Sequence, residues 1–231
     1  MRSQIKQQLV FVFLTVWGVA NAGPVTVNGN TVSFTYDSNL LGLFGTPIVA
    51  GDSLFFTPTE FTAQSLGAAG LDLTNSTVNI QVSSLTGGYI SLVGLTERGD
   101  FINHGAFTSV NVGGEIRVTD LSAPLTESIS SITPTSAFAS QSSIFPLQDW
   151  EAVAGLDFSP AQTGSVNVTI QNILAAFSSA AAESAFIEKT GVILAIASIT
   201  PEVSVPLPAS AWLFGTAIMG GLAFCKKAYN F

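Results

Sequence analysis

Apolar and polar residues alternate with period two along most of the chain. Val32, Phe34 and Tyr36 fall in one phase, and Thr31, Ser33 and Thr35 in the other. Val78, Ile80 and Val82 alternate with Thr77, Asn79 and Gln81, and Val166, Val168 and Ile170 with Asn167 and Thr169. Ile116 and Val118 flank Arg117. Successive side chains of a strand point to opposite faces, so this spacing, rich in β-branched residues, predicts half-buried strands. Asn28-Gly29 after Val25-Thr26-Val27 predicts a tight hairpin turn with positive φ at both residues. Gly87-Gly88, Gly99-Asp100 and Gly113-Gly114 predict further turns. Short strands separated by turns imply an all-β, antiparallel β-sandwich, jelly-roll or Ig-like.

Two stretches depart from alternation. Residues 122–146, rich in Ser, Thr, Pro and Ala, predict a long loop with one short strand at most. Residues 174–189 are Ala-rich. They read either as a helix ending at Lys189 before Gly191, or as two strands around a loop at Ser178 to Glu183. The hairpin is preferred, with Ile193, Ala195 and Ala197 continuing a buried strand. The run Ser53-Leu54-Phe55-Phe56-Thr57 and Phe61 reads as sheet core.

The two ends differ in kind from the middle. Arg2 and Lys6 precede an uncharged, mainly apolar run from Leu9 to Ala20, and Ala20 and Ala22 place small residues where signal peptidase reads them. Residues 1–22 therefore read as a signal peptide cleaved between Ala22 and Gly23. At the other end, Ala209 to Cys225 holds 17 residues without a charge. As a helix these span roughly 25 Å, enough to cross a thin bilayer core. Trp212, Leu213 and Phe214 lie at its outer end, and Lys226 and Lys227 favour a cytoplasmic C-terminus. Pro206 and Pro208 keep the preceding segment extended, as a processing protease requires.

Val205-Pro206-Leu207-Pro208-Ala209 followed by Ser-Ala-Trp-Leu-Phe-Gly resembles the PEP-CTERM sorting signal of Gram-negative bacteria. Leu207 stands where the commonest form has Glu, and two lysines stand where arginines are usual. The resemblance covers only the last 27 residues or so. It implies recognition by an exosortase and an association with exopolysaccharide and biofilm. The organisation expected is a signal peptide (1–22), an exported β-sandwich (23–200), a linker with the proline motif (201–208), a transmembrane helix (209–225) and a basic tail (226–231). The expected partners are signal peptidase, exosortase, the inner membrane and extracellular polysaccharide. The expected location is the cell surface or extracellular matrix, after a transient membrane-anchored stage.

Charge narrows the partners further. All 15 acidic residues lie between Gly23 and Val205, with only Arg98, Arg117 and Lys189 of the 7 basic ones. Such a domain repels nucleic acid and anionic lipid. The one cysteine, Cys225, lies in the tail, so the exported domain has no disulfide.

Candidate chemistry is sparse. His104 is the only histidine and reads as a solvated hairpin residue. No serine sits in a nucleophile elbow. Asp37, Asp52, Asp72, Asp100 and Asp120 read as turn residues, with a calcium ion between loops as the alternative to no cofactor. Arg98-Gly99-Asp100 spells an adhesion tripeptide but reads as a tight turn. Asn75-Ser76-Thr77 and Asn167-Val168-Thr169 match a glycosylation pattern but read as strand. Three functions follow in order: a non-enzymatic surface or matrix protein; a carbohydrate-binding module using exposed Tyr89 and Trp150; and a glycoside hydrolase built on Glu97, Glu115 or Glu127.

Overall fold

The computed structural model describes residues 23–85, 87–122, 126–158 and 163–200. Ala20 and Ala22, expected to end a signal peptide, the Val205–Ala209 motif, Trp212, Leu213, Phe214, Lys226 and Lys227 lie outside them. Among the described residues no helix is long and apolar enough to cross a membrane.

Among the described residues thirteen strands form two antiparallel sheets that share one hydrophobic core, consistent with a β-sandwich. The first sheet runs β1 (Pro24–Asn28), β2 (Val32–Asp37), β6 (Gly70–Ser84), β12 (Ser165–Ser178), β8 (Thr108–Asp120), β9 (Glu127–Ser131). The second runs β10 (Thr133–Pro134), β11 (Gln148–Asp157), β7 (Tyr89–His104), β13 (Ser184–Ile199), β4 (Ser53–Phe56), β3 (Ile48–Ala50). β5 (Thr62–Leu66) also pairs with β13. The connections β6–β7, β7–β8, β11–β12 and β12–β13 each pass from one sheet to the other.

The alternating residues bury as their phase predicts. Val32, Phe34, Ile80, Val82, Ile116, Val118, Val166, Val168 and Ile170 are fully enclosed. Phe56 and Phe61 pack edge-on against Phe44 and belong to the core. The polar phase makes ladders on the outer faces, among them Thr169 to Asn79, Ser83 to Ser165 and Thr26 to Thr35. Cross-strand hydroxyl and amide pairs of this kind satisfy the Ser, Thr and Asn content without charge. Both glycosylation-like triplets lie within strands, in β6 and β12.

Several turns are not where the glycines predicted. The first hairpin pairs Asn28 with Ser33, so its bend lies beyond Asn28-Gly29. Asp52 sets it by accepting from the Thr31 N–H and hydroxyl. Gly99-Asp100 and Gly113-Gly114 are no turns at all; they lie inside β7 and β8. Gly99 faces Lys189 in register, and a Cβ there would stand 1.8 Å from the Glu188 carbonyl oxygen. Gly114 (φ 125°) faces Asn172, and a Cβ would stand 2.0 Å from the Gln171 carbonyl oxygen. Both glycines serve close backbone approach rather than reversal.

The stretch 122–146 contains two strands, β9 and β10, not one. The Ala-rich stretch adopts the hairpin: β12 ends at Ser178 and β13 begins at Ser184. Beyond that point the expected phase inverts. Val192, Leu194 and Ile196 are buried, whereas Ile193, Ala195 and Ala197 face outward. A bulge between Lys189 and Gly191 adds one residue and flips every later side chain. β4 and β5 lie end to end along this edge of β13, pairing at 192–195 and 184–188, and the bulge occupies the gap between them.

Gly99→Ala and Gly114→Ala should each destabilise the domain by about 1–3 kcal/mol or more, the cost of forcing atoms into a filled space. Urea unfolding measures this; a loss below about 0.5 kcal/mol, the range of ordinary surface changes, would show that the backbone yields there.

Candidate functional site

The most organised polar group is inside the molecule. On β7 the inward phase runs Val93, Leu95, Glu97; on β12 it runs Val168, Ile170, Asn172, Leu174; on β13 it runs Ala185, Ile187, Lys189. One acid, one amide and one amine thus occupy core positions. They meet between the sheets. Lys189 Nζ lies 2.5 Å from Glu97 Oε2, and Asn172 Nδ2 donates to Glu97 Oε1 at 2.5 Å. Lys189 Nζ also donates to Asn172 Oδ1. Glu97 and Asn172 are 0 % exposed and Lys189 is 2 % exposed. Nζ lies 4.9 Å from the centre of the Phe61 ring and 5.8 Å from that of Trp150. Burial pushes the Lys189 ammonium well below its ordinary value, against the opposing charge and hydrogen bond of Glu97.

The local sequence builds this group. Trp150 pairs with Gly99, so its indole passes over a position without a side chain and donates to the Glu188 carbonyl at 3.0 Å. The neighbouring Lys189 N–H donates to the Phe61 carbonyl. The bulge at 189–191 therefore has its backbone tied on one side by Trp150 and on the other by the 57–61 connection.

Trp150, expected as an exposed sugar contact, is corrected by this arrangement: it is 4 % exposed and packs against Phe138. Tyr89 is half-buried at the opposite end of β7. Ten residues of extended chain, roughly 33 Å, separate Tyr89 from Gly99, the partner of Trp150, so the two aromatics form no common platform. The most exposed rings among the described residues are Phe107 and Phe145, which alternation cannot reveal because both lie in loops.

The three glutamates grouped as hydrolytic candidates divide. Glu97 is in the core. Glu115 and Glu127 lie on the outer face of the first sheet, where Arg117 binds both, at 2.7 and 3.3 Å. One guanidinium thus pairs with both carboxylates. His104 ends β7, half-buried, with Nδ1 3.1 Å from the Gln141 carbonyl oxygen.

Among the aspartates, Asp37, Asp52, Asp72 and Asp120 each accept a backbone N–H, from Asn39, Thr31, Gln64 and Ser122. Asp100 differs. The register aligns Asp149 of β11, Asp100 of β7 and Glu188 of β13 across three adjacent strands. Burial, then hydrogen bonding and repulsion from Asp149 and Glu188, raise the Asp100 carboxyl above its ordinary value. The row borders a depression of about 600 Å³ lined also by Arg98, Thr135, Glu151 and Thr190. Its chemical property is stored like-charge repulsion. No group of three His, Cys, Asp or Glu side chains among the described residues has the geometry to hold a metal ion. Neither a protein-family model nor a curated protein matches this chain.

The two kinds of carboxylate give opposite pH effects. Asp100 has a raised folded-state pKa, so its penalty is present above that value and fades as pH falls through it. Asp100→Asn should therefore raise stability near neutral pH by a few tenths of a kcal/mol, up to about 1, given its partial exposure, with the gain shrinking in mild acid. Burial works against the Glu183 carboxylate, but the N–H groups of Phe107, Ser179 and Ala180 outweigh it and hold the group below its ordinary value. Its contribution is present above the ordinary carboxylate range and lost as pH falls through the lowered value. Glu183→Gln should destabilise at neutral pH and converge on wild type in acid. Urea midpoints across pH test both signs; parallel curves would refute them.

Proposed function

We propose that this chain is a non-enzymatic surface or matrix protein, exported, held briefly by its C-terminal helix and passed by an exosortase into extracellular polysaccharide. The observation that carries the reading is the order of proline motif, apolar run and basic end over residues 205–231. The described domain suits such a role. Its buried group of Lys189, Glu97 and Asn172 is sealed between the sheets, where it contributes to the scaffold and no substrate reaches it. Part of the outer face of the first sheet is a ladder of uncharged hydrogen-bonding side chains, compatible with a hydrated polysaccharide. The finer architecture belongs to the same reading: a sandwich of jelly-roll or Ig-like kind, in which the connections between long strands repeatedly cross from one sheet to the other.

Removing residues 205–231 should release the domain early or misplace it, as fractionation of cells and medium would show. Unchanged localisation refutes the sorting reading. Replacing Pro206 and Pro208 should leave membrane insertion intact and cause the unprocessed, membrane-bound form to accumulate on an immunoblot.

A further inference from the structure

Lys189, Asn172 and Glu97 are placed as a nucleophile, an electrophile and a proton carrier. We propose that the Lys189 amine and the Asn172 carboxamide join spontaneously in the folded domain, forming an isopeptide bond between the two sheets with Glu97 as the acid–base group.

Three features of the geometry carry this. Nζ is in contact with the Asn172 carboxamide through Oδ1, so nucleophile and carbonyl are already together. Both are held by strands, which removes most of the entropic cost of the encounter. Glu97 reaches both nitrogens at once: Oε2 is 2.5 Å from Nζ, which must lose protons, and Oε1 is 2.5 Å from Nδ2, which must gain one to leave. The site is also dry. The three side chains are enclosed, Phe61 and Trp150 cover Nζ, and Ile170 and Leu174 flank Asn172 on its strand. An apolar enclosure disfavours the Lys189 ammonium relative to the free amine, and it excludes the water that would otherwise compete for the amide.

The step balances without any further reactant. Glu97 takes a proton from the Lys189 ammonium. The freed Nζ lone pair attacks Asn172 Cγ, the C–N bond forms, and the carbonyl electrons move to Oδ1. Glu97 delivers its proton to Nδ2 and accepts the second proton from Nζ. The carbonyl re-forms, the Cγ–Nδ2 bond breaks with its electrons to nitrogen, and ammonia leaves, carrying away the last proton as ammonium. Nothing is oxidised or reduced. The product is one ammonia lighter than the sequence. β12 and β13 are the strands it joins, each with paired neighbours on both sides of its sheet. The bond requires only the folded domain and does not depend on the export reading.

Glutamate-specific digestion of the denatured full-length protein, read by mass spectrometry, decides the matter. Cleavage after Glu151, Glu183, Glu188 and Glu202 places Asn172 in peptide 152–183 and Lys189 in peptide 189–202. The expected result is a single joined species, lighter by one ammonia than the two peptides together. Two separate peptides at their sequence masses overturn the proposal. Glu97→Gln should leave the peptides separate and unmodified; a joined species in that variant would remove Glu97 from the reaction. The wild-type digest stands alone, so failure of a variant to fold leaves the test intact. Failure of the bond and failure of export are told apart, since one is read in a peptide mass and the other in a cell fraction.

Discussion

An amine enclosed in an apolar core has to find its partners in both sheets at once, and much of this fold follows from that. Two unit charges out of water cost several kcal/mol each unless paired and hydrogen-bonded, and removing one partner of such a pair costs about 3–5 kcal/mol. Lys189 comes from β13, Glu97 from the neighbouring β7 and Asn172 from the facing β12. Their contacts are satisfied only when the two sheets stand in one alignment. The group therefore specifies which residues face each other across the core, a task that interchangeable Val and Ile side chains perform poorly.

The backbone around the group is shaped to suit it. Gly99 and Gly114 stand opposite Lys189 and Asn172, where a Cβ would strike the neighbouring strand. The bulge after Lys189 keeps that side chain inward and turns the following apolar run to match. Trp150 crosses Gly99 and closes the cluster from one side, while Phe61 closes it from another.

The outer surfaces follow a different rule. Uncharged side chains pair along the first sheet, and most aspartates are used up in local backbone hydrogen bonds. The row of Asp149, Asp100 and Glu188 is the departure. It lies on the outer face of the strands that carry Glu97 and Lys189, directly beside Gly99. The register that aligns the interior group also brings these three carboxylates abreast.

Alternation in the sequence was sufficient for the all-β class and for the inward residues of β2, β6, β8 and β12, because the side-chain period of a strand is a local property. Glu97, Asn172 and Lys189 each continue an apolar series, but this became legible only once the register was known; from the sequence Glu97 read as a possible hydrolytic carboxylate and Lys189 as the end of a helix or part of a hairpin. The sequence misled at Gly99 and Gly114, since a glycine needed for close approach and one needed for a turn look alike along the chain. It also misled after Lys189, since a bulge arises from pairing on both edges of β13 and not from β13 itself. Trp150 was misplaced for the same reason: its burial depends on a glycine in another strand. What the sequence by itself determined is the strand character of the domain and the inward phase of its most regular strands. Which three polar side chains meet in the core was decided only by tertiary structure, because register between strands distant in the chain is set by packing and close contact, and these do not exist until both sheets are in place.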